Sequence, residues 1–384
     1  MKKIAVVTAT RAEYGILRPL IFRLKKENEI QLQVIVTGTH LSEKYGNTQL
    51  EIQEDGVDIF RKIPILEEGN TPYDISLTMA NALCGFAAYF KEERPDMVVV
   101  LGDRTEILGV CAAAMNEQIP IAHLHGGEIT EGAVDDCVRH AITKMSYLHF
   151  PATEAYRRRI IQLGENPGRV FSVGALGVEN ILHVPLLSYQ ETCEQIGIPN
   201  GADYAVMTFH PVTLEKETAR TQTEELLQAM EQEKQRFYLI TMANADAGGD
   251  VVNDMLKKFA DTNENVILVH SLGMVRYLSA VKYSRFVLGN SSSGIIEAPA
   301  LGVPTVNIGD RQRGRLMADT IISCEPKKED IVAAMHLAEQ TKHKVSTIYG
   351  DGNTSEKIVT VLKDFLFHDK IDLKKTFYDI GDCR

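Results

Sequence analysis

A chain of 384 residues that is 44% hydrophobic and 24% charged has the balance of a globular protein, and at roughly 100 to 200 residues per domain it predicts two domains. Its formal net charge of -11 repels polyanions, which excludes nucleic acid and an anionic membrane as partners and leaves room for a small anion bound locally. Six scattered cysteines without a CxxC pair predict reduced thiols in a cytoplasm. No segment approaches the roughly 18 apolar residues of a membrane span, and Thr8, Thr10 and Arg11 interrupt the amino-terminal apolar stretch before it could serve as a signal peptide.

In chain order, short apolar or β-branched runs alternate with helix-length amphipathic segments, the pattern of βαβ units with parallel strands. KIAVVT, QLQVIVT, MVVVLG, IPIAHL, YLHF and RVFSVG form a first series; YAVMTF, FYLIT, NVILV, RFVLG, VPTVNI and TIIS form a second. The predicted fold class is α/β, with two Rossmann-like domains facing a central cleft. The first spans 1–180 and the second 181–365, and the tail 366–384 returns to the first domain. EKIVTVLKDFLFHD reads as an amphipathic helix ahead of that tail.

Ligands of open parallel sheets bind beyond the carboxyl ends of the strands, so the residues just after each run are the informative ones. Here they are polar. Arg11 follows the first run, Asp103 and Arg104 follow MVVV, and His125 and Glu128 lie in HLHGGE. In the second series the same place is taken by His210 of FHP, Asn244 of NADAGG, His270 and Ser271, Ser291 and Ser292 of GNSSSG, and Arg311. Charges at the end of a strand buried on both faces need partners or a task.

GNSSSGIIEAPALG is the strongest local signal. A strand, a turn of small residues and a helical pattern leave backbone N–H groups free at a helix N-terminus, which is an anion site. Ser291 and Ser292 add hydroxyl donors, and Glu297, one turn on, is placed to accept from a ribose diol. The plainer account is a capped tight turn. The first half offers carboxylates instead: Asp103, Glu106, Glu128, Glu131, Asp135 and Asp136. Asp135 and Asp136 open a helical pattern, so they either serve chemistry or favour the helix dipole and pair with Arg139 and His140. There is no zinc or iron spacing, EF-hand loop, GxSxG elbow, Walker A or GxGxxG pattern, so neither metal nor cofactor is expected. An anion-binding second half and an acid-rich first half suggest a nucleotide diphosphate whose other end is worked on by carboxylates.

TATRAEYG, LGDRTE, HLHGGE, DDCVRHAITKMS, FHPVT, NADAGG, GNSSSGIIEAPALGVPTVNIGDRQRGR and the closing FYDI together resemble, end to end, the hydrolysing UDP-N-acetylglucosamine 2-epimerases of sialic acid synthesis. The resemblance implies a GT-B-like fold, a homodimer or homotetramer, and loss of UDP across C1 and C2 to a 2-acetamidoglucal that adds water to give N-acetylmannosamine. By motif it implies Asp103, Asp135 and Asp136 as proton-handling candidates, with His125 and Glu128 nearby. Arg11, His210, Arg311, Ser291 and Ser292 are implied around the leaving diphosphate, and the strand-end positions add Arg104, Asn244, His270, Ser271 and Glu297 as candidate substrate contacts. His125 departs from members that carry glutamate at its position, so a carboxylate's role does not transfer to it. The alternatives are the sister enzyme for a nucleotide-linked 2,4-diacetamido-2,4,6-trideoxyhexose of legionaminic acid synthesis, held second to N-acetylglucosamine, and a GT-B glycosyltransferase.

Overall fold

The computed structural model describes residues 1–67, 69, 71–130, 134–211, 219–243, 249–270, 272–368 and 371–381. It divides into two compact units, Met1–Asn180 with Gly350–Arg384, and Ile181–Tyr349. The first holds β1 (Lys2–Thr8), β2 (Ile30–Thr37), β3 (Ile59–Ile63), β4 (Met97–Leu101), β5 (Ile121–Leu124) and β6 (Leu148–Phe150). The second holds β7 (Tyr204–Thr208), β8 (Phe237–Thr241), β9 (Val266–Val269), β10 (Val287–Gly289), β11 (Thr305–Ile308) and β12 (Ile321–Cys324).

The sheets run β3-β2-β1-β4-β5-β6 and β12-β11-β10-β7-β8-β9, one order read from opposite edges. All described pairings are parallel. This is the α/β class the sequence predicts. Helices on both faces explain the unbroken apolar runs. In β1, Ile4 and Val6 join one core with Leu17 and Leu20, while Ala5 and Val7 join the opposite one with Phe86 and Phe90. In β7, Tyr204 and Val206 take one face and Ala205 and Met207 the other. Winding reverses between β1 and β4, and between β7 and β10, and a doubly wound sheet opens its crevice at such points.

Two strand assignments change. RVFSVG forms only a single bridge, between His149 and Val170, rather than a strand. The sixth strand of the first sheet is IFRKI of β3 instead, which carries Arg61 and Lys62 because an edge strand keeps much of its surface in solvent. The second unit also ends sooner than 365. Ile358, Val359 and Leu362 of helix Thr354–Lys363 bury against Leu17, Leu20 and Leu24 of helix Arg11–Lys25, and the Ser355 N–H donates to Glu179 at 2.6 Å. The apolar face of that helix is satisfied by the first unit, so the chain returns there from Gly350 onward. No helix among the described residues is long and apolar enough to cross a membrane.

Candidate active site

In the first unit the ends of β4 and β5 lie side by side, and one buried cation gathers the polar residues around them. Arg139 is only 4% exposed. It donates to the Asp103 carboxylate, to the Glu128 carbonyl at 3.0 Å and to Thr130 Oγ1 at 3.0 Å. The turn that carries Asp103 is held from below: Nε2 of His123 lies 2.7 Å from the Gly102 carbonyl. Burial pushes His123 down to about 3, so its ring is neutral and Nε2 bears the proton that Gly102 accepts.

His125, just past β5, adopts a left-handed backbone with φ of 61°, and its N–H donates to the Phe150 carbonyl at 3.1 Å. Its Nδ1 lies 3.0 Å from Oε1 of the buried Glu128. Its Nε2 is buried and finds no hydrogen-bond partner among the described residues. A carboxylate that accepts Nδ1–H leaves the lone pair on Nε2, so this ring can take a proton there and, once protonated, give one.

Asp136 is engaged differently. Its Oδ1 accepts the Thr130 N–H at 2.9 Å and lies 3.5 Å from Arg139, and its Oδ2 lies 3.5 Å from His140. Those contacts fasten the loop to the start of helix Val134–Met145. Asp135, one position earlier, instead lines a pocket of about 310 Å³ together with Asp103, Arg104 and Glu106. Burial, and then the negative charge of Asp103, raise its carboxyl above the usual carboxylate range.

Around the β1 end, Glu13 accepts the Ala9 N–H at 2.8 Å through Oε2, while Oε1 is buried without a partner. Burial raises Glu13 to about 7, against the pull of the Arg104 cation. Arg104 donates from Nε to Glu106 at 2.6 Å. Arg11 is exposed, and its Nε lies 2.9 and 3.0 Å from the two oxygens of Glu51.

In the second unit the switch point is clasped by Asn290. Its Oδ1 accepts the His210 N–H at 2.7 Å and its Nδ2 donates to the His210 carbonyl at 2.8 Å. Gly289, at φ of 127°, precedes it with its Cα against the Thr208 carbonyl, where any Cβ would collide. The Asn290 carbonyl accepts from Arg311 Nη1 at 3.1 Å and Gln312 Nε2 at 2.8 Å, which draws Arg311 to the serine turn. Ser291 and Ser292 lead into helix Ser293–Ala300, but its first N–H groups are not free as the sequence suggests: Ser293 N–H donates to Ser291 Oγ at 3.3 Å, Gly294 N–H to the Ser291 carbonyl at 3.1 Å and Ile295 N–H to the Ser292 carbonyl at 3.0 Å, so the turn offers an anion its hydroxyls and the helix dipole. Within that helix Ser293 Oγ donates to Glu297 and accepts from Tyr277 at 2.8 Å, and burial raises the Glu297 carboxyl.

The structure thus brings Asp103, Arg104 and Asp135 to one pocket, ties His125, Glu128 and Asp136 to it through Arg139, and groups His210, Ser291, Ser292, Glu297 and Arg311 at β7 and β10. His270 stands apart: it is exposed at the end of β9, the sheet edge, about 14 Å from β10 at the usual strand spacing. Asn244, Ser271 and Glu131 lie outside the described residues. Sequence reasoning missed Arg139 as a hub, His123 as a support and Asn290 as a clasp. Only Asn290, a polar residue directly after a strand, carried a signal. Among the described residues no group of three His, Cys, Asp or Glu side chains stands ready to hold a metal ion.

The model of the UDP-N-acetylglucosamine 2-epimerase family matches residues 23–363. The chain belongs to that family. It is 40% identical to the polysialic acid biosynthesis protein P7 of Escherichia coli, over 100% of this chain and 99% of that protein. It is 39% identical to the hydrolyzing GDP/UDP-N,N'-diacetylbacillosamine 2-epimerase of Campylobacter jejuni, over 84% of each. Among solved structures, the UDP-GlcNAc 2-epimerase of Neisseria meningitidis bound to UDP-GlcNAc superposes with a TM-score of 0.80 over 94% of this chain and 99% of that one. At 19% identity that likeness speaks for the GT-B-like fold alone.

Proposed function

We propose that this protein is a hydrolysing 2-epimerase of a UDP-linked 2-acetamido sugar, converting UDP-N-acetylglucosamine and water to N-acetylmannosamine and UDP. C2 of such a sugar has no adjacent carbonyl to acidify its proton. Cleavage of the C1–O bond therefore leads, the electron pair leaves with the diphosphate, and loss of the C2 proton completes a glycal. Water then adds hydroxyl to C1 and a proton to C2 from the opposite face. The reaction needs two proton-handling groups and one anion-holding group.

The observation that carries this reading is the His125–Glu128 pair, its Nε2 buried and without a partner among the described residues, tied through Arg139 to Asp103 beside a raised Asp135. His125 and Asp135 are the two proton carriers in this proposal; Asp103 supplies negative charge beside the developing cation. His210, Arg311 and the turn of Ser291 and Ser292 hold the departing diphosphate, with Glu297 on the ribose. Arg11 reaches the phosphates only by giving up Glu51. The E. coli relative's part in polysialic acid biosynthesis supports a place in sialic acid supply, whereas the Campylobacter relative's action on diacetylbacillosamine favours the diacetamido sugar as a second reading.

Proton NMR in D2O with UDP-N-acetylglucosamine should show free UDP and N-acetylmannosamine carrying deuterium at C2. Exchange at C2 with the nucleotide sugar left intact would sink hydrolysis, and UDP release only from the diacetamido substrate would replace the sugar. His125→Ala should cut kcat by about a hundredfold or more while leaving UDP affinity in place.

A further inference from the structure

Two carboxyls, Asp103 and Asp135, share the pocket at the end of β4, and a single guanidinium makes them different. Arg139 stands in the second turn of helix Val134–Met145, three residues after Asp136 and four after Asp135, a spacing that lets it pair with either. Its closest carboxylate comes from another element. Nη2 donates to the Asp103 carboxylate and to Thr130 Oγ1 at 3.0 Å, while Nη1 donates to the Glu128 carbonyl at 3.0 Å and lies 3.5 Å from Asp136 Oδ1. Each Nη hydrogen of the fork thus has an acceptor of its own. Among the described residues no hydrogen bond or ion pair joins Arg139 to Asp135.

A buried guanidinium stays charged and must be answered by an anion, and Asp103 is the anion in its grip. Two carboxyls in one pocket do not both keep a negative charge cheaply, so the one without the cation is the one that holds a proton. Asp135 is in that position: burial and then the charge of Asp103 raise its carboxyl, against the pull of Arg139 and Arg104. Glu106, bonded to Arg104, and Tyr45 and Glu67 complete the ionisable groups that line the pocket. The same fork also reaches the second proton carrier. Nη1 pins the carbonyl of Glu128, whose carboxylate lies 3.0 Å from Nδ1 of His125.

We infer that Arg139 is a positioning residue that divides the work of the two carboxyls: it commits Asp103 to the ionised, charge-stabilising part, leaves Asp135 to carry the proton, and holds the Glu128–His125 pair in place beside them. This rests on the reading of the protein as a hydrolysing epimerase of a UDP-linked 2-acetamido sugar. Buried as it is, Arg139 acts through these neighbours rather than on the sugar.

The test follows the Asp135 carboxyl itself by carbon-13 NMR titration of protein labelled at its aspartate carboxyls, with Asp135→Asn to assign the signal. Arg139→Gln removes the cation, so Asp135 should keep its proton to a pH about one unit higher than in the wild type; Asp103→Asn removes the neighbouring anion, so Asp135 should lose its proton about one pH unit lower. Arg139→Lys keeps the charge but cannot span Asp103 and the Glu128 carbonyl as a fork does. In that variant Asp135 should titrate as in the wild type, while kcat for UDP release falls about a hundredfold and KM stays within about threefold. Near-ultraviolet circular dichroism checks that each variant folds. Should the Arg139 variants fail to fold, Asp103→Asn, at a side chain 28% exposed, still decides. An Asp135 titration unmoved in folded Asp103→Asn or Arg139→Gln, or a wild-type kcat in folded Arg139→Lys, overturns the inference. A wild type that releases UDP from no UDP-linked 2-acetamido sugar overturns the hydrolysing reading instead, and the titrations then decide the division between the two carboxyls without it.

Discussion

His125 holds a backbone conformation that disfavours an L-residue by about 1–2 kcal/mol, and such a residue persists only where its surroundings over-determine it. The Phe150 carbonyl and the Glu128 carboxylate do so here. Glu13 is a second residue held against its preference. Its folded pKa of about 7 exceeds its ordinary 4.5, so between those values the folded chain keeps a proton that the unfolded chain has released. Stability therefore falls as pH rises through that window, and above pH 7 the penalty reaches about 3 kcal/mol at most. Glu13→Gln keeps an acceptor for the Ala9 N–H and removes the charge. Its melting temperature should exceed that of the wild type at pH 8 and match it below pH 4.5; a difference independent of pH would exclude a buried charge as the cause. At this scale HLHGGE and LGDRTE showed that polar side chains gather at the ends of β4 and β5. They did not show that Asp136 is used up on Thr130, Arg139 and His140 while Asp135 is left to a pocket, because helix spacing lets either residue pair.

Strand ends set the site at the next scale. A buried parallel strand reads as an apolar run, which is why β1, β4, β5, β7 and β10 were legible; β3 was not, because an edge strand keeps charged residues such as Arg61 and Lys62. The terminal tail is a second element whose anchor the sequence hides. Glu165, 1% exposed, accepts from Lys144 at 2.7 Å and lies 2.7 Å from Lys375 and 3.1 Å from His149. Phe377 packs on Gly164, and the Tyr378 N–H donates to the Gly164 carbonyl at 2.9 Å. Burial works to raise Glu165, but the hydrogen bonds from His149, Lys144 and Lys375 outweigh it and leave the carboxyl at about 2. With the folded value below the ordinary 4.5, this cluster stabilises fully above about pH 4.5 and fades as pH falls toward 2. Lys375→Met should cost about 2 kcal/mol at pH 7 in denaturant titrations, less at pH 3, and speed hydrogen exchange in residues 371–381. Unchanged stability at pH 7 would show that the tail is not held by this charge.

Over the whole molecule, the two units differ in chain continuity. Ile181–Tyr349 is one uninterrupted segment with cores of its own on both sheet faces, whereas the first unit needs the chain after Gly350 to cover helix Arg11–Lys25. A fragment of 181–349 should unfold in a single cooperative thermal transition, and 1–180 alone should melt lower than 1–180 supplied with 350–384. A 181–349 fragment without near-ultraviolet circular dichroism would refute that independence. The sequence by itself determined the α/β class, the two series of parallel strands and the polar strand ends, because periodicity and strand-end chemistry are local and leave their mark along the chain. Tertiary structure alone decided that Arg139 joins Asp103 to the Glu128 carbonyl, that His125 keeps a buried Nε2 without a partner among the described residues, and that the last helix belongs to the first unit. Each depends on which residues distant in sequence meet across neighbouring strands and helices, and a local pattern does not encode that.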